Sequence, residues 1–554
     1  MVKRLVLPLF FASCLLGIYV WAARSAETPH EGALISVNTN SGATGGPDCT
    51  LRDAMTTANS GVNTGGCLLV GSGLPITISL DATGPYTLTN SAGTYPPFSG
   101  NGLPYVTTQM VIEGNGQKIV KKSQVPPPPF RIFFVAPEGH LILRNLTVQN
   151  GQTGGYHLAD AGGGILNMGY LELQNTSVIS NSSESAPGGG IMNLMWDETI
   201  TPTLILKDSE VGYNRGQGAI VSEMNGHVMI TNSNIHHNYG VGLRVEYGSV
   251  DVEIVDSTFA NNSGTVDYPC GGGIFSFAND FSMINSTVRD NTTCISEGGG
   301  IFVWGAHVLI KDSTIANNAT VEYGGSGGGL YGGGNSFQMI NSTISGNASE
   351  LDGGGLYLLG AVTITNSTIS GNNAVGEGDG IYLRQNSTLT LINTILTNHL
   401  DDDCAIYGTI LGENNLIDTL SCGNDPSLRL MPVTNFDPNL ADNGGPTWTH
   451  ALLPGSNAID TIGCEQAPEA DQRGLLRPQD GNGDGQFLCD VGSFELESVA
   501  TPTPTSTLTP TPSQTPTITV TPSPTQSPTP TQTMTPEPEK PFFIFFPILL
   551  HLSP

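Results

Sequence analysis

"GGGIFVWGAHVLIKDSTIANN" occupies residues 298–318, and its internal rhythm decides the fold. Apolar residues alternate within it: Ile301 and Val303, then Val308 and Ile310, then Ile315. A period of two belongs to extended chain, because successive side chains of a strand point to opposite faces. Glycine, asparagine and aspartate separate the three bursts, and these residues turn a chain through conformations that others resist. The phrase then recurs. Glycine clusters followed by Ile or Leu begin at Gly162, Gly188, Gly271, Gly298, Gly327, Gly353 and Gly378, with degenerate copies at Gly216 and Gly240. A second phrase, Asp or Asn followed by Ser-Thr and an apolar residue, returns at Asp256, Asn285, Asp312, Asn341 and Asn366, with looser copies at Asn175, Asp208 and Asn232.

The starts from Gly271 to Gly378 keep a period in the twenties, and self-similarity at that period marks a solenoid. Three short strands per repeat make one coil of an all-β parallel β-helix. Each coil buries its apolar side only by stacking on the next. The rival leucine-rich repeat needs a helical half and a Leu-x-x-Leu frame, and neither is present. Asn317, Asn347 and Asn372 read as corner or ladder residues, bonding to their counterparts one coil away. The N-x-[ST] spelling at Asn341 and Asn366 follows from the repeat and is no sign of glycosylation. About ten coils at ~4.8 Å give a repeat region of ~48 Å. Its ends need caps, because they expose core and strand edges. The segment Cys49–Asn59 is predicted as a helix with Leu51, Met55 and Ala58 on one face, laid across the first coil.

The remaining organisation follows from composition. Residues 1–25 read as a signal peptide, with Lys3 and Arg4 before the apolar run Leu5–Trp21 and small residues at Ala23–Ser25. Residues 26–134 form an N-terminal cap with irregular first coils, 135–425 the repeats, and 426–498 a C-terminal capping region. Residues 499–540 are a disordered Thr/Pro-rich stalk, and 541–554 a hydrophobic tail too short for a ~20-residue membrane span. That tail is a candidate for envelope attachment. A formal charge of −29 with 12% charged residues excludes nucleic acid and anionic lipid as partners, since both need a basic face. Of nine cysteines, Cys14 leaves with the signal peptide. Pairing the other eight with sequence neighbours gives Cys49–Cys67, Cys270–Cys294, Cys404–Cys422 and Cys464–Cys489, as expected outside the cytosol.

Certain motifs resemble known families. Cys49-Thr50-Leu51-Arg52-Asp53-Ala54 resembles the CSLREA region at the start of many secreted bacterial β-helix proteins, with Thr50 and Asp53 replacing Ser and Glu. The glycine and Asn-Ser-Thr phrases resemble right-handed β-helix, pectin-lyase-like repeats and those of polymorphic outer membrane proteins, which implies a right-handed solenoid. Asp442–Asp460, Asp471–Gly474 and Cys489–Glu495 are similar to the choice-of-anchor Q domain. The resemblance implies the fold and a bacterial secreted or cell-surface location, and it implies no settled activity.

Four sets of residues are candidates for chemistry. With Ile274, Ile301, Leu330, Leu356 and Ile381 inward, Phe275, Phe302, Tyr331, Tyr357 and Tyr382 stack on one external line, with Phe277 and Trp304 beside them. Acids crowd the preceding corner: Asp267, Glu297, Glu322, Glu350, Asp352, Glu377 and Asp379. Rings that stack on sugars, beside carboxylates that bond hydroxyls, suit a surface glycan or other extracellular ligand. Aromatics also ladder favourably in any sheet, and acids solvate corners. Catalytic residues are not identified; Asp352 and Asp379 are the weak candidate pair for a glycosidase or lyase. A Gly-His-Gly is missing and cations are scarce. Asp480, Asn482, Asp484, Gln486 and Asp490 spell the D-x-N-x-D-G opening of a Ca2+ loop, although the EF-hand's twelfth position falls on Val491. An acidic, Gly-rich turn fixed by Cys464–Cys489 is the alternative. His236-His237, without a third ligand at metal spacing, read as corner residues. The expected function is non-catalytic adhesion or glycan binding, ahead of a polysaccharide lyase or glycoside hydrolase and a structural envelope component.

Overall fold

The computed structural model describes residues 32–498 apart from 99, 123–128, 156, 185, 197–198, 247, 249–250, 265–271, 294–296, 322–323, 424–427 and 429–430. The expected signal peptide, stalk, tail and Cys270–Cys294 bridge, with Asp267 and Glu322, lie outside the described residues. The Cys49–Cys67, Cys404–Cys422 and Cys464–Cys489 bridges are formed.

Parallel strands stack coil on coil in three main series, with a short fourth of four two-residue strands from Thr292–Thr293 to Asn373–Ala374. One starts at Leu34–Val37 and Ile76–Leu80 and ends at Thr409–Glu413. A second runs from Phe133–Val135 to Cys404–Ile406. In the middle coils these two fuse into long bent strands such as Ile301–Lys311 and Leu330–Ile340. A third series, thirteen strands from Tyr86–Leu88 to Leu416–Ile417, closes the coil. Register is strict: Ile274, Ile301, Leu330, Leu356 and Ile381 pair in one inward column. The apolar residues of the repeat are almost fully buried there in one continuous core.

Buried carboxamides join the coils. Asn181, Asn214, Asn238, Asn262, Asn291, Asn318, Asn347 and Asn372 form a ladder, each Nδ2 donating to the next Oδ1 at 2.8–3.1 Å. Each of these Oδ1 atoms from Asn214 onward also accepts the preceding ladder residue's backbone N–H. Asn347 and Asn372 are therefore ladder residues, but Asn317 is not. It stands one position before the ladder, exposed at φ 55°, and Asn318 takes the inward place. Serine hydroxyls from Ser233 to Ser367 make a parallel ladder at the opposite turn. The tri-glycine segments align beside the asparagines. Gly298 sits at φ +74°, and a Cβ on Gly300 would lie 2.8 Å from Asn318 Cγ.

The expected helix is present at Leu51–Ser60 (α1), with Leu51, Met55 and Ala58 buried against the first coils. Thr50 caps it: its hydroxyl accepts from Asp53 N–H and donates to the Asp53 carboxylate at 2.8 Å. Buried Arg52 reaches the carbonyls of Gly102 and Asn90.

The C-terminal region lies along the side of the rod. The hydroxyls of Thr314, Thr343 and Thr368, outward on three successive third-series strands, bond to Trp448 O, Gln472 Oε1 and Ser493 N. Gly492 N–H donates to Asn393 O in the next coil. His450 is buried between its neighbours, its Nδ1–H donating to Asp437 O and its Nε2 accepting from the Ser345 hydroxyl. Burial holds this imidazole below its ordinary pKa.

Two outcomes follow. Asn318→Ala strands the Asn291 donors in the core and should cost ~2–4 kcal/mol, at ~1–3 kcal/mol per unsatisfied group, whereas Asn317→Gly should be neutral or slightly stabilising; chemical denaturation reads both. For His450, the depressed folded pKa means that its stability contribution is complete above pH ~6.5 and is lost as pH falls below it. The stability gap between wild type and His450→Gln should therefore narrow as pH drops below ~6.5, and melting from pH 8 to 5 checks this.

Candidate functional site

The aromatic stripe belongs to a longer outward column on the second strand series. Phe134, Leu166, Met192, Val221, Arg244, Phe275, Phe302, Tyr331, Tyr357 and Tyr382 pair in register from coil to coil. The first four are fully buried, packed with Phe98, Ala161 and Met168 in a side core outside the coil. From Phe302 onward the column is half-exposed.

The sequence-predicted rings do stack. Centroids lie 4.7 Å apart for Phe275–Phe302, 5.4 Å for Phe302–Tyr331, and 4.6 Å for both Tyr331–Tyr357 and Tyr357–Tyr382, with planes within 19° of parallel. Tyr407 continues the series at 5.4 Å, tilted by 41°. Sequence spacing missed it, because the register partner of Tyr382 is Ala405. Near-parallel rings with centroids 4.6 Å apart must overlap face over face, since side by side in one plane their edge atoms would collide. The ladder's ring faces are therefore turned toward one another. It presents edges and hydroxyls outward, with no open platform for a sugar.

Trp304 differs. Its partner in the next coil is Gly333, so bare backbone stands beside the indole, which is 43% exposed. Here a groove of about 890 Å³ opens, lined by Phe277, Phe302, Trp304, Tyr331, Leu359, Asn225, Asn279, Asn335, Glu297 and Arg384. Of the six predicted ligand-binding rings, Phe302, Trp304 and Tyr331 line it; Phe275, Tyr357 and Tyr382 do not. Gly333 itself is buried against Leu359, where an added Cβ would lie 2.5 Å from Leu359 O, and it is not part of the lining. Burial, with Tyr357 and the Glu297 carboxylate adding, pushes the Tyr331 hydroxyl up to about 12, against the opposing Arg384. Tyr357 and Tyr382 are also raised, chiefly by burial, so the ladder offers neutral O–H donors.

The carboxylate pair is differently placed. Asp379 is 2% exposed, and its two oxygens accept from Ala374 N and Asp401 N at 2.8 and 2.7 Å. Asp352 Oδ1 accepts from Glu377 N. Both therefore hold turns, and the groove's lining includes neither.

In the candidate Ca2+ loop, the Asp480 oxygens accept from Asp484 N and Gly485 N, Asn482 Oδ1 from Asp484 N, and Asp484 Oδ1 from Gln486 N. Asp490 is buried elsewhere in the C-terminal region, bonded to Asp460 N and Leu496 N, and burial with the nearby Glu495 charge pushes it up to about 7. Among the described residues, no group of three His, Cys, Asp or Glu side chains converges as a metal site. Asp480, Asn482 and Asp484 thus cap their own turn, and Asp460 Oδ2 accepts from Asn482 N at 2.8 Å.

A protein-family model described as "Right handed beta helix region" matches residues 131–307 and 285–417. The chain belongs to this right-handed β-helix family. Among solved structures, that of pectate lyase Pel9A is similar, with a TM-score of 0.35 and 15% identity, covering 79% of this chain and 90% of that one. A comparison with curated proteins returns no match.

Structural and binding roles separate by mutation. Tyr357→Ala breaks two stacked pairs and should cost ~1–3 kcal/mol, whereas Trp304→Ala, at an exposed position, should stay within ~0.5 kcal/mol; equilibrium unfolding distinguishes them.

Proposed function

We propose that this chain is an exported bacterial surface β-helix that binds a glycan, without cleaving it, in the groove beside Trp304. The carrying observation is the 43% exposed indole of Trp304 in the wall of this groove. One open aromatic face, surrounded by the Asn279 and Asn335 carboxamides, the Glu297 carboxylate and the Arg384 guanidinium, suits a sugar. A pyranose offers an apolar C–H face to a ring and hydroxyls to such polar groups. Tyr331, with its proton held to about 12, adds a donor at the groove wall.

The lining runs from Asn225 and Gly248 through Asn279 and Asn335 to Arg384, one coil after another. An extended oligosaccharide lying along the rod fits this course better than a single sugar. Non-catalytic binding is favoured over a lyase or glycosidase because the backbone amides of their turns engage Asp352 and Asp379.

Glycan-array screening followed by calorimetry tests the reading. Binding should fall at least tenfold in Trp304→Ala and remain within twofold in Tyr382→Ala. Full affinity in Trp304→Ala would remove the groove. New reducing or unsaturated ends from a polysaccharide panel, abolished by Asp352→Asn, would replace binding with catalysis.

A further inference from the structure

His236 ends the third-series strand Asn234–His236 and His237 follows it, on a different strand series from the aromatic groove. As expected they form a corner, with His237 at φ 50° and Tyr213 at the equivalent corner one coil earlier at φ 57°. The structure adds a contact that adjacent residues rarely make. Their Nδ1 atoms stand 2.9 Å apart, with the ring planes at 86°. The other nitrogen of His236, Nε2, lies 3.0 Å from Glu210 Oε1, and the second oxygen of that carboxylate accepts from the Ser177 hydroxyl.

This arrangement fixes a tautomer. A carboxylate accepts only, so His236 carries its proton on Nε2 and leaves a lone pair on Nδ1. His237 Nδ1–H then donates to it. Tyr213 stacks on His237 with centroids 5.2 Å apart and planes at 20°, and meets His236 edge-on. One imidazole is thus held through its far nitrogen by an anchored carboxylate, as in carboxylate–histidine–metal sites, and the second is braced by a ring.

We propose that His236 and His237 chelate one divalent transition-metal ion through their Nδ1 atoms, with Glu210 as the positioning residue. Two nitrogens bound cis at ~2.0–2.1 Å stand about 2.9 Å apart, so the pair has the required bite. His237 is exposed; for chelation its proton moves to Nε2 and both rings turn, so that the two lone pairs meet at the metal instead of along the Nδ1–Nδ1 line. No group of three His, Cys, Asp or Glu converges among the described residues, so water fills the other positions. An imidazole pair with open coordination favours Cu2+ in the first-row series.

The test titrates Cu2+ into the full chain by calorimetry and electron paramagnetic resonance, with the His236→Ala/His237→Ala variant as blank. One equivalent should bind above the blank, with hyperfine structure from two nitrogens. His237→Ala should weaken it at least tenfold and leave one nitrogen. Glu210→Ala should weaken it about tenfold and keep both, as expected for an outer partner. Circular dichroism confirms that each variant folds. A Cu2+ titration of wild type indistinguishable from that of the double variant, or of His237→Ala, overturns the site. Unchanged affinity in Glu210→Ala overturns the positioning role.

Discussion

Eight successive coils each deliver one carboxamide to the same buried line, and much of the repeat region follows from that constraint. An inward asparagine has two donors and a carbonyl to satisfy, and here the coils before and after it satisfy them. Asn318 gives its Nδ2 protons to Val288 O and Asn347 Oδ1 while its own Oδ1 receives from Asn291. Removing one rung leaves buried polar groups on both sides, so the ladder resists slippage in a way that an apolar stack would not. The coils nonetheless differ in length: successive rungs are separated by 33, 24, 24, 29, 27, 29 and 25 residues. In the later coils the difference falls mainly between the asparagine and the next glycine cluster, which is where the corner acids gather.

Locked register explains both the aromatic stripe and its limits. Side chains on one outward column stand a strand spacing apart, and rings at that separation turn flat against each other. The device that stacks Phe302, Tyr331, Tyr357 and Tyr382 thereby removes their faces from any ligand. The groove opens instead off the ladder, beside Trp304, whose register partner in the next coil is Gly333.

The period of two, the glycine starts, the helix at Leu51–Ser60 and the bridges Cys49–Cys67, Cys404–Cys422 and Cys464–Cys489 were legible because each depends on local chemistry. Asn317 and Asn318 were not separable, since both are asparagine and only the inward direction distinguishes them. Ring orientation and the engagement of Asp379 and Asp490 by backbone amides depend on contacts distant in sequence. One signal could have been read. Ile165-Leu166, Ile191-Met192 and Ile220-Val221 are apolar at inward and outward positions alike, and a strand with two apolar faces is covered on both. Tyr331, Tyr357 and Tyr382 are amphipathic at the same outward position, which is where the cover ends.

The C-terminal region gives the exposed part of the column its footing. The coils it braces, through Thr314, Thr343, Thr368 and Asn393, are those whose second-series strands carry Phe302, Tyr331, Tyr357 and Tyr382. The same docking buries Asn341 and Asn366, whose side chains bond Ala470 O and Asp490 O, so their N-x-[ST] spelling serves the packing. A solenoid is held by nearest-neighbour contacts and is weakest toward its ends, where a coil has a partner on one side only. Strapping several late coils from the third face adds contacts that skip along the stack, and it leaves the second face open. The groove can therefore sit on a half-exposed column near the end of the rod because those coils are tied together from behind.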